Sequence, residues 1–194
     1  MSRVADCPPG TRLLTGDIAR VPELLGDLPR GRRVLTCAAL LDVLPSSGIR
    51  TLAAVASAAA APVLFSLTVT GAWDLDPSDP LDGPLRRAFD DHQRRSGLAG
   101  PDALEIAVEA LRTGGSTILT TDTDWHLDAG SGADLVDRFL RERVAAAVEV
   151  RPDLADPAAD WLDRRRRHLA ASILRIRVGH RDLLALPPAP SRTR

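Results

Sequence analysis

The 194-residue chain contains no lysine, no asparagine and no tyrosine, and aromatic residues make up only 3% of it. All 25 of its basic residues are therefore arginine. That uniformity looks like the footprint of GC-rich coding DNA rather than selection for guanidinium chemistry, so arginine abundance by itself assigns no partner. Cysteine is scarce too: Cys7 and Cys37 are too few for a disulfide framework, and no Cys/His cluster has metal-ligand spacing. Reduced thiols in a cytoplasmic protein are the simplest expectation. With 26 acidic residues the net charge is −1, and no global field draws the chain to nucleic acid or to an anionic membrane. The first residues lack a basic region leading into an apolar run, so they do not read as a signal peptide. Residues 51–70 form the most apolar stretch, but it is alanine-rich and interrupted by Pro62. A helix followed by a buried strand is expected there, not a membrane span.

What is present suits one buried core: the chain is 44% hydrophobic. Residues 1–33 read as an irregular N-terminal segment with a strand remnant at Leu13 and Leu14, residues 34–187 as an α/β domain, and residues 188–194 as a proline-rich tail. Within the domain, strands are expected at 34–44, 62–70, 116–123 and 173–180, the last half-exposed, with residues 71–83 as a loop. Helices are expected at 49–61, from Pro84 onward, at 101–113, at 133–150, and from an Asp156 cap with Pro157 at the first position toward Ser172. Such alternation predicts a mostly parallel sheet with its ligand beyond the carboxyl ends of the strands. On the helix after Pro84, Arg86/Asp90, Arg87/Asp91, Asp90/Arg94 and Asp91/Arg95 are four apart and predict a solvated charge ladder. Leu85, Phe89 and His92 form the opposite stripe. Arg164 to Arg167 spread round a helix beside Asp160 and Asp163, which predicts a solvated face rather than a nucleic-acid patch.

Four pieces stand in a telling order: Thr36-Cys-Ala-Ala-Leu-Leu-Asp42; Leu67-Thr-Val-Thr-Gly71; Asp79-Pro-Leu-Asp82 followed by His92-Gln-Arg94; and Gly179-His-Arg-Asp-Leu-Leu-Ala-Leu-Pro187. With them the chain resembles actinobacterial class I S-adenosylmethionine (SAM) dependent methyltransferases over most of residues 15–187. The resemblance implies a Rossmann-like sheet. In it the first two pieces end the fourth and fifth strands, and the last strand runs antiparallel between the fifth and sixth. It implies SAM as cofactor, with Asp17 near the adenine and Cys37, Ala38 and Leu41 beside the methionine moiety. It also implies a glycine-rich loop after a first strand and an acidic residue closing a second, and the sequence contains neither. Gly114-Gly115 and Gly130-Ser-Gly132 do not follow a buried strand and open a helix as that loop must. The expectation is a partial methyltransferase-type sheet with its acceptor side present and its fourth strand an open edge, available to a second copy or a complementing chain.

Methyl transfer from a sulfonium needs close positioning, sometimes a base, and no metal. His92, on the inward stripe, is the candidate base or orienting group; a hydrogen-bonded core histidine is the alternative. Asp79 and Asp82 are candidates for orienting a small-molecule acceptor, or are turn and capping residues. Trp73 is placed in the loop after the fifth strand as a pocket wall or as loop packing. Asp42 is either a cap or a site residue.

Overall fold

The computed structural model describes residues 17–26 and 33–189; the strand remnant at Leu13 and Leu14 and most of the proline-rich tail lie outside them. In chain order the elements are α1 (Val21–Gly26), β1 (Leu35–Ala38), α2 (Ser46–Ala58), β2 (Val63–Asp76), α3 (Asp82–Gln93), α4 (Ala103–Thr113), β3 (Thr117–Asp122), β4 (Trp125–Asp128), α5 (Ala133–Val150), α6 (Ala155–Ala170) and β5 (Arg175–Leu186). The fold class is α/β with one mixed sheet, ordered β1-β2-β5-β3, and β4 continues along the edge of β5 beyond β3. β1 and β2 are parallel, while β5 is antiparallel to β2, β3 and β4. The expected mostly parallel sheet is thus corrected in one respect. Four strands share a direction, but the reversed β5 sits in the middle, so only one adjacent pair is parallel.

Two local expectations fail for the same reason. Residues 71–76 are not a loop: β2 runs on to Asp76, with Trp73 and Leu75 buried and Asp74 and Asp76 exposed, because β5 goes on supplying backbone partners. Two register shifts in β2, between Phe65 and Thr68 and between Val69 and Trp73, absorb its extra residues. Leu67 at the first and Gly71 at the second adopt positive φ. The Asp182 side chain secures the first by accepting from the Leu67 backbone N–H at 2.9 Å. Opposite the second lies Gly179, where an added Cβ would stand 2.2 Å from Thr70 Oγ1 and 3.1 Å from the Ala72 carbonyl oxygen. The strand expected at 173–180 alternates exposed and buried through Val178 as expected, but β5 starts at Arg175 and extends to Leu186 between neighbours on both sides. Helix ends differ slightly as well. α3 starts at Asp82 with Pro84 in its first turn, and α6 starts at Ala155, continued from a 3₁₀ turn at Pro152–Leu154.

Alternation along β5 puts helices on opposite sheet faces. Leu183 and Ala185 join Val63 and Phe65 in a core beneath α2 and α4, built on Ile49, Leu52, Ala107 and Leu111. Ile176 and Val178 point the other way and join Trp73, Leu75, Leu85, Leu140 and Trp161 in a second core beneath α3, α5 and α6. On that second face α3, α5 and α6 reach only one half of the sheet. In the other half Leu64, Leu119 and Leu186 are 40%, 54% and 40% exposed, and β1 has no neighbour on its outer edge among the described residues.

The charge pattern is tertiary rather than helical. In place of the ladder on α3, Arg86 pairs with Asp74 of β2, Arg94 with Asp102 through two hydrogen bonds of 2.8 Å, and Arg95 with Glu149 of α5. The arginine run on α6 is not a solvated face either. Arg165 is fully buried and donates to Asp82 Oδ1 and to the Pro77 carbonyl, Arg164 pairs with Asp79, and Arg166 pairs with Asp137. Trp161 Nε1 also donates to Asp82 Oδ1, at 2.8 Å. Local spacing proposed partners four residues away; packing α6 against the β2–α3 loop brought carboxylates that hold the guanidinium forks in place. Removing Asp82 would leave Arg165 charged and unpaired in the core. We expect Asp82→Ala to cost about 3–5 kcal/mol in urea unfolding, whereas Glu142→Ala at the exposed Arg138 pair is expected to leave the unfolding midpoint nearly unchanged.

Candidate functional site

The chain leaves β1 through Ala39, at positive φ, and turns in a 3₁₀ segment at Leu41–Val43. Leu41 is 1% exposed and anchors that turn in the core, which aims Asp42 and Val43 outward. α3 ends at Gln93, and a tight turn with Ser96 and Gly97 at positive φ brings Leu98 to a β-bridge with Pro45. The Ala99 N–H donates to the Leu44 carbonyl at 2.8 Å and locks the two segments together. Between them lies a cleft of about 430 Å³ lined by Asp42, Val43, Phe89, His92, Gln93 and Arg95, among others. It stands at the carboxyl end of β1, where an α/β sheet offers its ligand site.

His92 is the chemical centre of this cleft. Its ring stacks on Phe89 (centroids 6.5 Å apart, planes 8° apart), and its Nε2 lies 3.3 Å from Glu149 Oε2. Arg95 donates to the same carboxylate oxygen at 2.7 Å and also touches His92 Nε2. Arg95, more than His92, holds the Glu149 carboxyl below the usual range. Nε2 thus faces a carboxylate, which can only accept, and a guanidinium, which can only donate, and this pair orients the ring.

The other expected site residues do not gather here. Trp73 is in β2, 3% exposed, edge-on to Trp161 at 6.2 Å, and is a core residue rather than a loop wall. Asp82 begins α3 ten residues before His92, about 15 Å along the helix. Asp79 and Asp82 are occupied by Arg164, Arg165 and Trp161. Burial pushes Asp79 up, but the hydrogen bond and charge of Arg164, the Leu81 N–H and the charge of Arg165 outweigh it and hold the carboxyl low.

Nor do Asp17, Cys37, Ala38 and Leu41 form one cradle. Asp17 caps a short 3₁₀ turn, accepting from the Ala19 N–H at 2.8 Å, and lines a separate cleft of about 420 Å³ with Leu44, Pro45, Ser47, Gly48 and Thr51. Cys37 is half-buried against the first core, and burial, then the charge of Asp42, pushes its thiol up, away from nucleophilic use. Leu41 points inward, and Ala38 is exposed at the strand end. These four do not by themselves fit SAM. Among the described residues no group of three His, Cys, Asp or Glu side chains could hold a metal, and no helix is long and apolar enough to cross a membrane.

Gln93, Arg95 and Glu149 were not singled out from the sequence. Arg95 looked like one rung of a surface ladder, and Glu149 comes from α5, more than fifty residues away, with no local signal. Asp90, on the same helix as His92, abuts the Gly71 bend: an added Cβ at Gly71 would sit 3.2 Å from Asp90 Oδ1. Oδ1 is buried without a hydrogen bond. Burial, against the pull of Arg94 and Arg86, raises its carboxyl from 3.8 to about 6.

A carboxyl whose folded-state pKa is raised contributes stability that is complete below 3.8 and is lost as pH rises through about 6. Asp90→Asn, a mimic of the neutral acid, is therefore expected to be more stable than the natural chain at pH 7 and no more stable at pH 3.5. Solvent reaching the half-buried carboxyl screens the gain to roughly 1–2 kcal/mol. Chemical denaturation at the two pH values measures it, and equal effects at both would refute it. No protein-family model and no curated protein matches the sequence, so the reading of the cleft rests on its own geometry.

Proposed function

We propose that this chain is the acceptor-side part of a class I SAM-dependent methyltransferase domain and that it holds a small-molecule acceptor in the cleft at His92. One observation carries the reading. The sheet order, with the final strand reversed and inserted between β2 and β3, is the order that the sequence resemblance implies for the last four strands of that Rossmann-like sheet. The site supports it: the cleft lies at the carboxyl end of β1 and contains a histidine backed by a carboxylate. His92 would orient an acceptor hydroxyl or amine, while Phe89 supplies an apolar wall.

A second reading, that the chain is a complementing or noncatalytic subunit of a cytoplasmic assembly, is favoured by the open β1 edge and the uncovered leucines on the second sheet face. The two readings are compatible, because the missing grip on SAM would come from strands paired to β1. Titration calorimetry of SAM into the chain is expected to give undetectable or weak binding, and low-micromolar affinity would overturn that expectation. The DNA directly upstream is expected to encode, in frame or as a separate chain, a strand, a glycine-rich loop, a helix and an acidic strand end. If no such polypeptide exists and none restores SAM binding, the methyltransferase reading fails.

A further inference from the structure

Arg143 of α5 is the unusual cation of this protein. Its guanidinium carbon lies 3.3 Å from the centroid of the Phe139 ring and 4.9 Å from that of Phe89, so it is sandwiched between two aromatic faces. Arg86, Arg164, Arg165 and Arg181 are also buried or half-buried, and each is paired with an aspartate. Arg143 has no ion pair or hydrogen bond among the described residues, and its Nε is fully buried. Burial alone pushes it down to about 10, with only the distant charge of Glu142 opposing. Aromatic faces offset part of the lost hydration, but they accept no directed hydrogen bond from the edge of the fork.

Arg143 also lines a small inner cavity of about 20 Å³ with Trp73, Gln93, Gly71 and Gly179. Trp73 Nε1 and Gln93 Oε1 are likewise buried without partners. Two residues that each carry an unpaired buried N–H therefore line one void, and rotation of the Gln93 amide would add a third donor. Each buried donor left unmade costs about 1–3 kcal/mol. The void has room for one oxygen atom, and two of its walls, Phe89 and Gln93, also line the His92 cleft.

We propose that Arg143 anchors the ligand of the cleft by an anionic group, a carboxylate whose leading oxygen enters this cavity while the rest of the molecule lies against Phe89 and His92. The substrate class is then a small carboxylic acid. This deepens the reading of the cleft as a binding site but is independent of methyl transfer, so it can stand if SAM binding fails and fall if SAM binding succeeds.

The test is thermal unfolding of the full chain in acetate, malonate and chloride at equal ionic strength. Acetate or malonate is expected to raise the melting temperature saturably above the chloride value. Arg143→Gln should abolish that rise, and Arg112→Gln, at an exposed site on α4, should keep it. Because Arg143→Gln could fail to fold, Gln93→Glu provides a second arm by placing a carboxylate in the same cavity. If Arg143 is waiting for an anion, Gln93→Glu raises the melting temperature at pH 7 by roughly 2–4 °C and removes the acetate response. If the Arg143 guanidinium does not face the void, Gln93→Glu buries a second uncompensated charge and lowers it. That lowering, or the absence of any carboxylate-specific rise in the natural chain, overturns the proposal.

Discussion

β5 forms backbone hydrogen bonds along both edges, with β2 on one side and β3 and β4 on the other, and every other layer takes its position from it. A reversed strand in the centre of a sheet whose remaining strands share a direction must match neighbours of unequal length. Here the mismatch is confined to β2, which bulges twice while β5 stays regular. The bulges need a close approach at Gly179, where any side chain would strike Thr70 and the Ala72 backbone, and a left-handed turn at Gly71. They also rotate the end of β2, so that Trp73 and Leu75 serve the second core while Val63 and Phe65 serve the first. One strand thus belongs to two cores on opposite faces.

With lysine absent, every strong cation is a planar fork, and the structure treats the forks in two ways. Many are paired across elements: Arg86 to β2, Arg95 to α5, Arg164 to the loop before α3 and Arg165 to the first residue of α3. Those pairs fix the helices against each other by direction as well as by charge, since a bidentate or shared carboxylate tolerates little rotation. The Asp82 carboxylate illustrates it by serving a buried guanidinium, an indole N–H and the Asp79 backbone at once. Arg143 receives aromatic faces and no carboxylate among the described residues, and it shares the Phe89 wall with the His92 cleft. A core that elsewhere neutralises its buried forks and here does not is one whose missing anion comes from outside.

The same architecture explains why the sheet invites completion. β1 is four residues long, apolar toward the first core and unpaired on its outer edge among the described residues, and on the opposite sheet face Leu64 of the neighbouring β2 is uncovered, with Leu186 and Leu119 uncovered further across the sheet on β5 and β3. An open edge of this kind is available to further strands. The His92 cleft is at the carboxyl end of that strand, so whatever covers the edge would also wall the cleft.

The α/β class and the five helices after residue 45 were legible in the sequence, because helical periodicity, β-branched runs and proline and glycine punctuation act over a few residues and survive any tertiary context; the reversal of the last strand came only from the resemblance, since no local pattern encodes strand direction. His92 was legible for the same reason: the stripe it shares with Leu85 and Phe89 is a property of one helix. Trp73 and Leu75 were not, since Gly71 and the flanking aspartates look like a turn until β5 lies alongside. Nor were the roles of Asp79, Asp82 and the arginines of α6, whose local spacing suggested solvated or capping groups. Local sequence determined which segments form helices and strands and which side chains share a face. Only the tertiary structure decided which charges meet, that Glu149 backs His92, and that Arg143 has no partner, because those contacts join residues separated by tens of positions and depend on how the two helical layers dock on one bulged pair of strands.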